Sequence, residues 1–103
     1  MREKYIEDLL VSEVKHRGGL ALKLYSTSYI GLPDRLVLIA FGHIGFVEVK
    51  APHKKPRPIQ LKRHEELKKL GFKVYVLDDK SQIEEILNDI EKGGENQNAL
   101  STI

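Results

Sequence analysis

Glu48 and Lys50 stand two residues apart in the run Phe46-Val-Glu-Val-Lys50. On an extended strand alternate side chains share a face, so Val47 and Val49 point into apolar packing while Glu48 and Lys50 point the other way, together. A carboxylate able to hold a divalent cation, beside an ammonium able to orient or deprotonate a water, is a candidate catalytic pair. An acid, any residue and then Lys occurs four times, at Glu13/Lys15, Glu48/Lys50, Glu66/Lys68 and Asp78/Lys80. Three of these fall on expected helix faces or in a turn. Only Glu48/Lys50 falls inside a strand read as internal, where two charges on one face are costly unless they are partnered or used. Asp34 ends the stretch Gly31-Leu-Pro-Asp34 and, with Arg35 between, precedes the apolar run Leu36 to Ala40. A Pro-Asp pair alone is ordinary turn chemistry. If the strand after Asp34 pairs antiparallel with Ile44 to Lys50, however, Asp34 arrives beside Glu48 and Lys50. Two converging carboxylates attract a hard cation such as Mg²⁺, which commonly takes only one or two protein carboxylates.

The elements that must position these groups follow from local pattern. Tyr5, Ile6, Leu9, Leu10 and Val14 recur at helical spacing, with Gly18-Gly19 as a stop. Glu3 falls on the edge of that apolar arc and Glu7 just beyond it, so either could supply a third acid over the sheet. Leu20 to Tyr25 alternates as a strand, with Leu20, Leu22 and Leu24 on one face. Arg35 to Phe41 reads as a buried strand, and Phe41-Gly-His-Ile-Gly45 turns the chain into a hairpin partner. Three prolines within residues 51–58 exclude a regular element there, and Pro58 can open a helix that Gly71 ends. Phe72 to Leu77 is a further strand. Ser81 to Glu91 is a helix with Ser81 as N-cap and Glu84 three residues on. The order α-β-β-β-α-β-α predicts an α/β fold, with a mixed sheet of about four strands flanked by helices. Residues 1–92 form one domain, and 93–103 are expected to be a mobile polar tail.

At 103 residues the chain suffices for a single core. It has no cysteine, which excludes disulfides, thiolate metal sites and cysteine nucleophiles. No apolar run is long enough to span a membrane and no signal-like segment opens the chain, so a soluble, cytoplasmic protein is expected. The net charge of +2 conceals an uneven distribution: residues 50–73 carry nine Lys or Arg against two acids, whereas residues 74–103 are net acidic. A concentrated basic block suggests a polyanion-binding face.

Four blocks, Gly31-Leu-Pro-Asp34, Phe46-Val-Glu-Val-Lys-Ala-Pro52, Pro58-Ile-Gln60 and Leu70-Gly-Phe72, resemble in order and spacing the VRR-NUC domain. This is the virus-type replication-repair nuclease branch of the PD-(D/E)xK superfamily. The resemblance spans about residues 2–88 and is to the small, stand-alone members encoded by bacteriophages and prophages. It implies a restriction-endonuclease-like core. It also implies that Asp34 and Glu48 are metal-binding carboxylates, that Val49 lends its backbone carbonyl to the metal and that Lys50 is the catalytic lysine. Gln60 matches the family's glutamine on the following helix, and the family's helix-one glutamate is Glu3 or Glu7.

The expected activity is Mg²⁺- or Mn²⁺-dependent hydrolysis of DNA phosphodiesters by an endonuclease. Lys54, Lys55, Arg57, Lys62 and Arg63 would grip flanking phosphates without reading sequence. His53 and His64 are read as phosphate donors or surface residues. The resemblance implies a homodimer acting on branched DNA, foremost a Holliday junction, with flaps, nicks or general nicking as alternatives. A non-catalytic DNA-binding module is a different reading, disfavoured because carboxylates repel phosphate unless a cation intervenes. A protein-interaction subunit using the acidic 78–95 stretch has only charge behind it.

Overall fold

The computed structural model describes residues 1–101, with side chains as far as Gly93. The chain runs α1 (Glu3–His16), β1 (Leu20–Lys23), β2 (Arg35–Ile39), β3 (His43–Val49), α2 (Pro58–Lys69), β4 (Val74–Leu77), a 3₁₀ turn (Lys80–Gln82) and α3 (Ile83–Ser101). The strands form one sheet in the order β1-β2-β3-β4. The β1–β2 and β2–β3 pairs are antiparallel, whereas β3–β4 is parallel and joined through α2. This is the mixed four-stranded α/β architecture expected from the sequence.

Period-two alternation sorts the strand residues onto two faces. Val37, Ile39, Val47, Val49 and Leu77 are buried on one face beneath α1 and α3. The helices answer at helical spacing, with Ile6, Leu10 and Val14 from α1 and Ile83, Ile86, Leu87 and Ile90 from α3. Each such side chain contributes about 1.5–3 kcal/mol through burial. Gly45 lets α3 sit close to β3, since a Cβ there would lie 2.5 Å from Ile90 Cδ1. The opposite face bears Glu48 and is covered only in part, by α2.

Three local expectations need correction. The strand β1 ends at Lys23 rather than Tyr25; Leu20 and Leu22 share a face as expected, and it is the exposed one, while Ala21 packs against the core. The register Leu20↔Leu38 and Ala21↔Val37 imposes this, because Val37 faces α1 and α3. The cap before α3 is Asp79 rather than Ser81: its carboxylate accepts from the Ser81 N–H at 2.9 Å and starts the turn two residues earlier. Finally, α3 does not stop at Glu91 but continues to Ser101. Helix-interior glycine costs only about 1 kcal/mol, so Gly93 and Gly94 do not forbid the continuation. Of the segment 93–103, residues 102–103 lie outside the described residues. Among the described residues no helix is long and apolar enough to cross a membrane.

Candidate active site

The hairpin register brings the distant acids together. Arg35 pairs with Val47, so the residue before β2 lies beside the end of β3. There the Val49 N–H donates to Asp34 Oδ2 at 2.7 Å. Leu24 N–H bonds the Asp34 carbonyl at 3.0 Å, which ties the same residue to the end of β1. Glu48 projects from the sheet face carrying Asp34, within hydrogen-bonding reach of its carboxylate. Lys50 Nζ lies 3.9 Å from Glu48 Oε2. Three side chains from two separate stretches therefore meet at one end of the hairpin.

Glu48 is only 1% exposed. Burial, reinforced by the facing Asp34, pushes its carboxyl up to about 8, and the ammonium of Lys50 offsets this only in part. Raised this far, the Glu48 carboxyl holds its proton at neutral pH when no cation is present. The donor set, two hard carboxylates at one point, fits a divalent cation that would replace that proton. Among the described residues no three His, Asp or Glu side chains form a metal cage, so a cation here would keep waters in its shell.

Helix α2 closes the site from the covered side. Pro58 sits in its first turn and Gln60 at its third position. The Gln60 Oε1 accepts from the Arg57 N–H at 2.8 Å, which forces the amide nitrogen to the other side, where it donates to Glu48 Oε2 at 3.2 Å. A glutamate in this place could accept from Arg57 but would have no donor for Glu48. The imidazole of His64, one turn on, lies with Nε2 3.4 Å from Glu48 Oε1. It is 3% exposed, so it is a buried residue of the site and not a surface one. Burial first, and Lys68 second, hold its pKa below the usual histidine value, so the contact is a hydrogen bond of a neutral ring rather than an ion pair at neutral pH.

The other expected residues divide. Glu7 accepts from Arg35 Nε at 2.8 Å, and Arg35 also donates to the Ala21 carbonyl, so Glu7 neutralises a half-buried guanidinium and is not free for the site. Glu3 is exposed in the first turn of α1, and its charge contributes to raising Glu48. Lys54, Lys55, Arg57 and Lys62 are exposed, with no side-chain ion pair among the described residues. Arg63 is committed elsewhere. Its guanidinium lies 4.0 Å over the Tyr29 ring, donates to the Ile30 carbonyl at 2.7 Å and pairs with Glu66, which also accepts from the Tyr29 hydroxyl. This clamp pins the loop before Asp34 onto α2, and the sequence carried no signal for it beyond an aromatic in a turn. His53 is exposed in a turn at φ 68.

Gly31 is needed where that loop meets α2. It adopts φ +92, and a Cβ would lie 2.8 Å from the Ile59 carbonyl oxygen and 3.0 Å from Arg63 Cγ. Gly31→Ala is expected to cost about 1–3 kcal/mol through strain and displacement of the loop. It should lower Tm by about 5 °C or more and quicken exchange of the Val49 amide proton that Asp34 holds. An unchanged Tm and unchanged exchange would show that the loop does not depend on this contact.

No family model matches the chain. Over 78 residues it is 53% identical to "Putative nuclease p44" of Acyrthosiphon pisum secondary endosymbiont phage 1, an alignment covering 76% of this chain and 84% of that protein. A solved structure described as a "VRR_NUC domain" superposes with a TM-score of 0.79 at 34% identity, over 84% of this chain and 94% of the other.

Proposed function

The chain belongs to the VRR-NUC family, and from that footing we propose that it is a divalent-metal-dependent endonuclease that cuts branched DNA as a homodimer. The observation that carries this reading is the meeting of Asp34, Glu48 and Lys50, with a carboxyl at Glu48 that needs either a proton or a cation. Mg²⁺ or Mn²⁺ held by Asp34 and Glu48, with the Val49 carbonyl, would supply Lewis acidity toward the scissile phosphate and an acidified water. Lys50 orients the attacking water and stabilises negative charge building on the phosphoryl oxygens. Gln60 holds one oxygen of the Glu48 carboxylate, Oε2, from the side of α2. Water oxygen bonds to phosphorus as the ester P–O bond breaks, and the leaving oxygen takes up a proton. Glu3 is the better candidate for the helix-one acid, since Glu7 is consumed by Arg35.

Lys54, Lys55, Arg57 and Lys62 hold flanking phosphates. Lys54→Ala combined with Lys55→Ala is expected to weaken DNA binding severalfold at low salt. It should also flatten the slope of log K against log salt by about 1–2 units. A salt titration in which the slope is unaltered would remove the pair from the interface.

Dimerisation is supported by the part of the sheet that α2 leaves bare. Leu20, Leu22 and Ile44 are exposed there beside the half-buried Leu36 and Leu38. An uncharged face of this kind is suited to cover a second copy of itself. Two symmetric sites in turn suit a four-way junction with its symmetric strands. Acting on host or phage DNA, such a protein would work in the cytoplasm.

The test incubates the purified chain with a four-way junction, a flap and a linear duplex, each with Mg²⁺, Mn²⁺ or EDTA, beside sedimentation at matched concentrations. Metal-dependent cleavage of the junction by a dimer is expected. Equal cleavage in EDTA would end the metal reading, a monomer would end the dimeric one, and preference for the flap would move the chain to the repair-type alternative.

A further inference from the structure

We propose that His64 is a positioning residue for this centre: its ring nitrogen holds Glu48 Oε1 while Gln60 holds Oε2, so that α2 sets the orientation of the carboxylate. The inference rests on the reading of Glu48 as a metal ligand.

The two buried residues of α2 are Gln60 and His64, both polar and four apart, hence on one helical face. Apolar Leu61 on the same helix is 50% exposed. The helix therefore meets the sheet at this point through a buried polar cluster, and both polar side chains aim at the same carboxylate. A buried carboxylate held at one oxygen alone can rotate about its last torsion, whereas one held at both oxygens cannot. Such outer contacts fix the orientation of a ligand and typically change metal affinity about 10–100-fold when removed. The arrangement also links the catalytic carboxylate to the helix that bears Lys62 and follows the Lys54-Lys55 loop.

Two variants separate positioning from packing. His64→Leu fills the space without a donor, and His64→Gln keeps an N–H at similar reach. With folding checked by circular dichroism, His64→Leu is expected to bind Mn²⁺ about 10–100-fold more weakly, to lose kcat with little change in KM, and to bind DNA in EDTA as the parent does. His64→Gln should recover most of the Mn²⁺ affinity. A His64→Leu chain with parental Mn²⁺ affinity overturns the proposal, as does a folded His64→Gln chain as impaired as His64→Leu. Should His64→Leu fail to fold, ¹⁵N NMR of the parent decides: a proton on Nε2 coupled to Glu48 supports the bond, and Nε2 as a bare acceptor in the Mn²⁺-free and Mg²⁺-loaded chain refutes it. A parent chain that binds no Mn²⁺ at all would instead overturn the metal-site reading, and the NMR result would still report on the bond.

Discussion

A Glu48→Gln chain is expected to cut DNA about 10²–10³-fold more slowly and yet to melt at a higher temperature than the parent at pH 8. Both effects come from the same buried carboxyl. Glutamine keeps an acceptor for the Gln60 amide and offers its two N–H to Asp34 and to His64, whose neutral ring then accepts instead of donating, so each contact of the protonated glutamic acid keeps a partner. What it lacks is the negative charge a divalent cation requires. The sign of the stability effect follows from linkage. The Glu48 pKa is raised from 4.5 in the unfolded chain to about 8 in the folded one, so the folded state binds the extra proton between those values. Metal-free stability is therefore fully present below about 4.5, declines as pH rises, and levels off above about 8. The variant should lose this decline. A gain of even 1 kcal/mol at pH 8 would appear as about 4–8 °C in Tm. Thermal scans of both chains from pH 4 to 9 in EDTA check it, and parallel curves would show that Glu48 is not the group responsible.

Mn²⁺ affinity of the parent should rise about tenfold per pH unit up to about 8 and then flatten, so that pH 6 and pH 8 differ by about a hundredfold. A cation must displace the Glu48 proton, and only one proton is at stake. Calorimetry in buffers of different ionisation enthalpy should accordingly find close to one proton released per ion at pH 7. An affinity that does not vary with pH, with no proton released, would mean that Glu48 is already ionised in the metal-free chain or is not a ligand.

The parts of this centre legible in the sequence are those set by short-range pattern. Alternation in Phe46 to Lys50 put Glu48 and Lys50 on one face, the short turn at Phe41-Gly42 made the hairpin, and Pro58 and Gly71 bracketed α2. From these alone Asp34 could be carried to the end of β3, where its bond to Val49 now lies. The remainder depended on what approaches from elsewhere in space. Whether Glu3 or Glu7 looks toward the site turned on Arg35, whose half-buried guanidinium claims Glu7. Arg63 read as a phosphate contact because its neighbours are basic, but Tyr29 and the Ile30 carbonyl occupy it. His64 looked like a surface residue on a polar helix; only the position of Glu48 beneath α2 shows why a polar face is the buried one. Alternation put Leu20 and Leu22 on one face, but only the register against β2, which turns Ala21 inward, shows that this face is the uncovered one.

Mn²⁺ binding and DNA cleavage measured side by side on folded Asp34→Ala and Lys50→Ala chains test the centre most directly. The geometry predicts that Asp34→Ala loses both, whereas Lys50→Ala binds Mn²⁺ within a few-fold of the parent and fails to cut. A folded Asp34→Ala chain that binds Mn²⁺ and cuts DNA as the parent does would contradict the account.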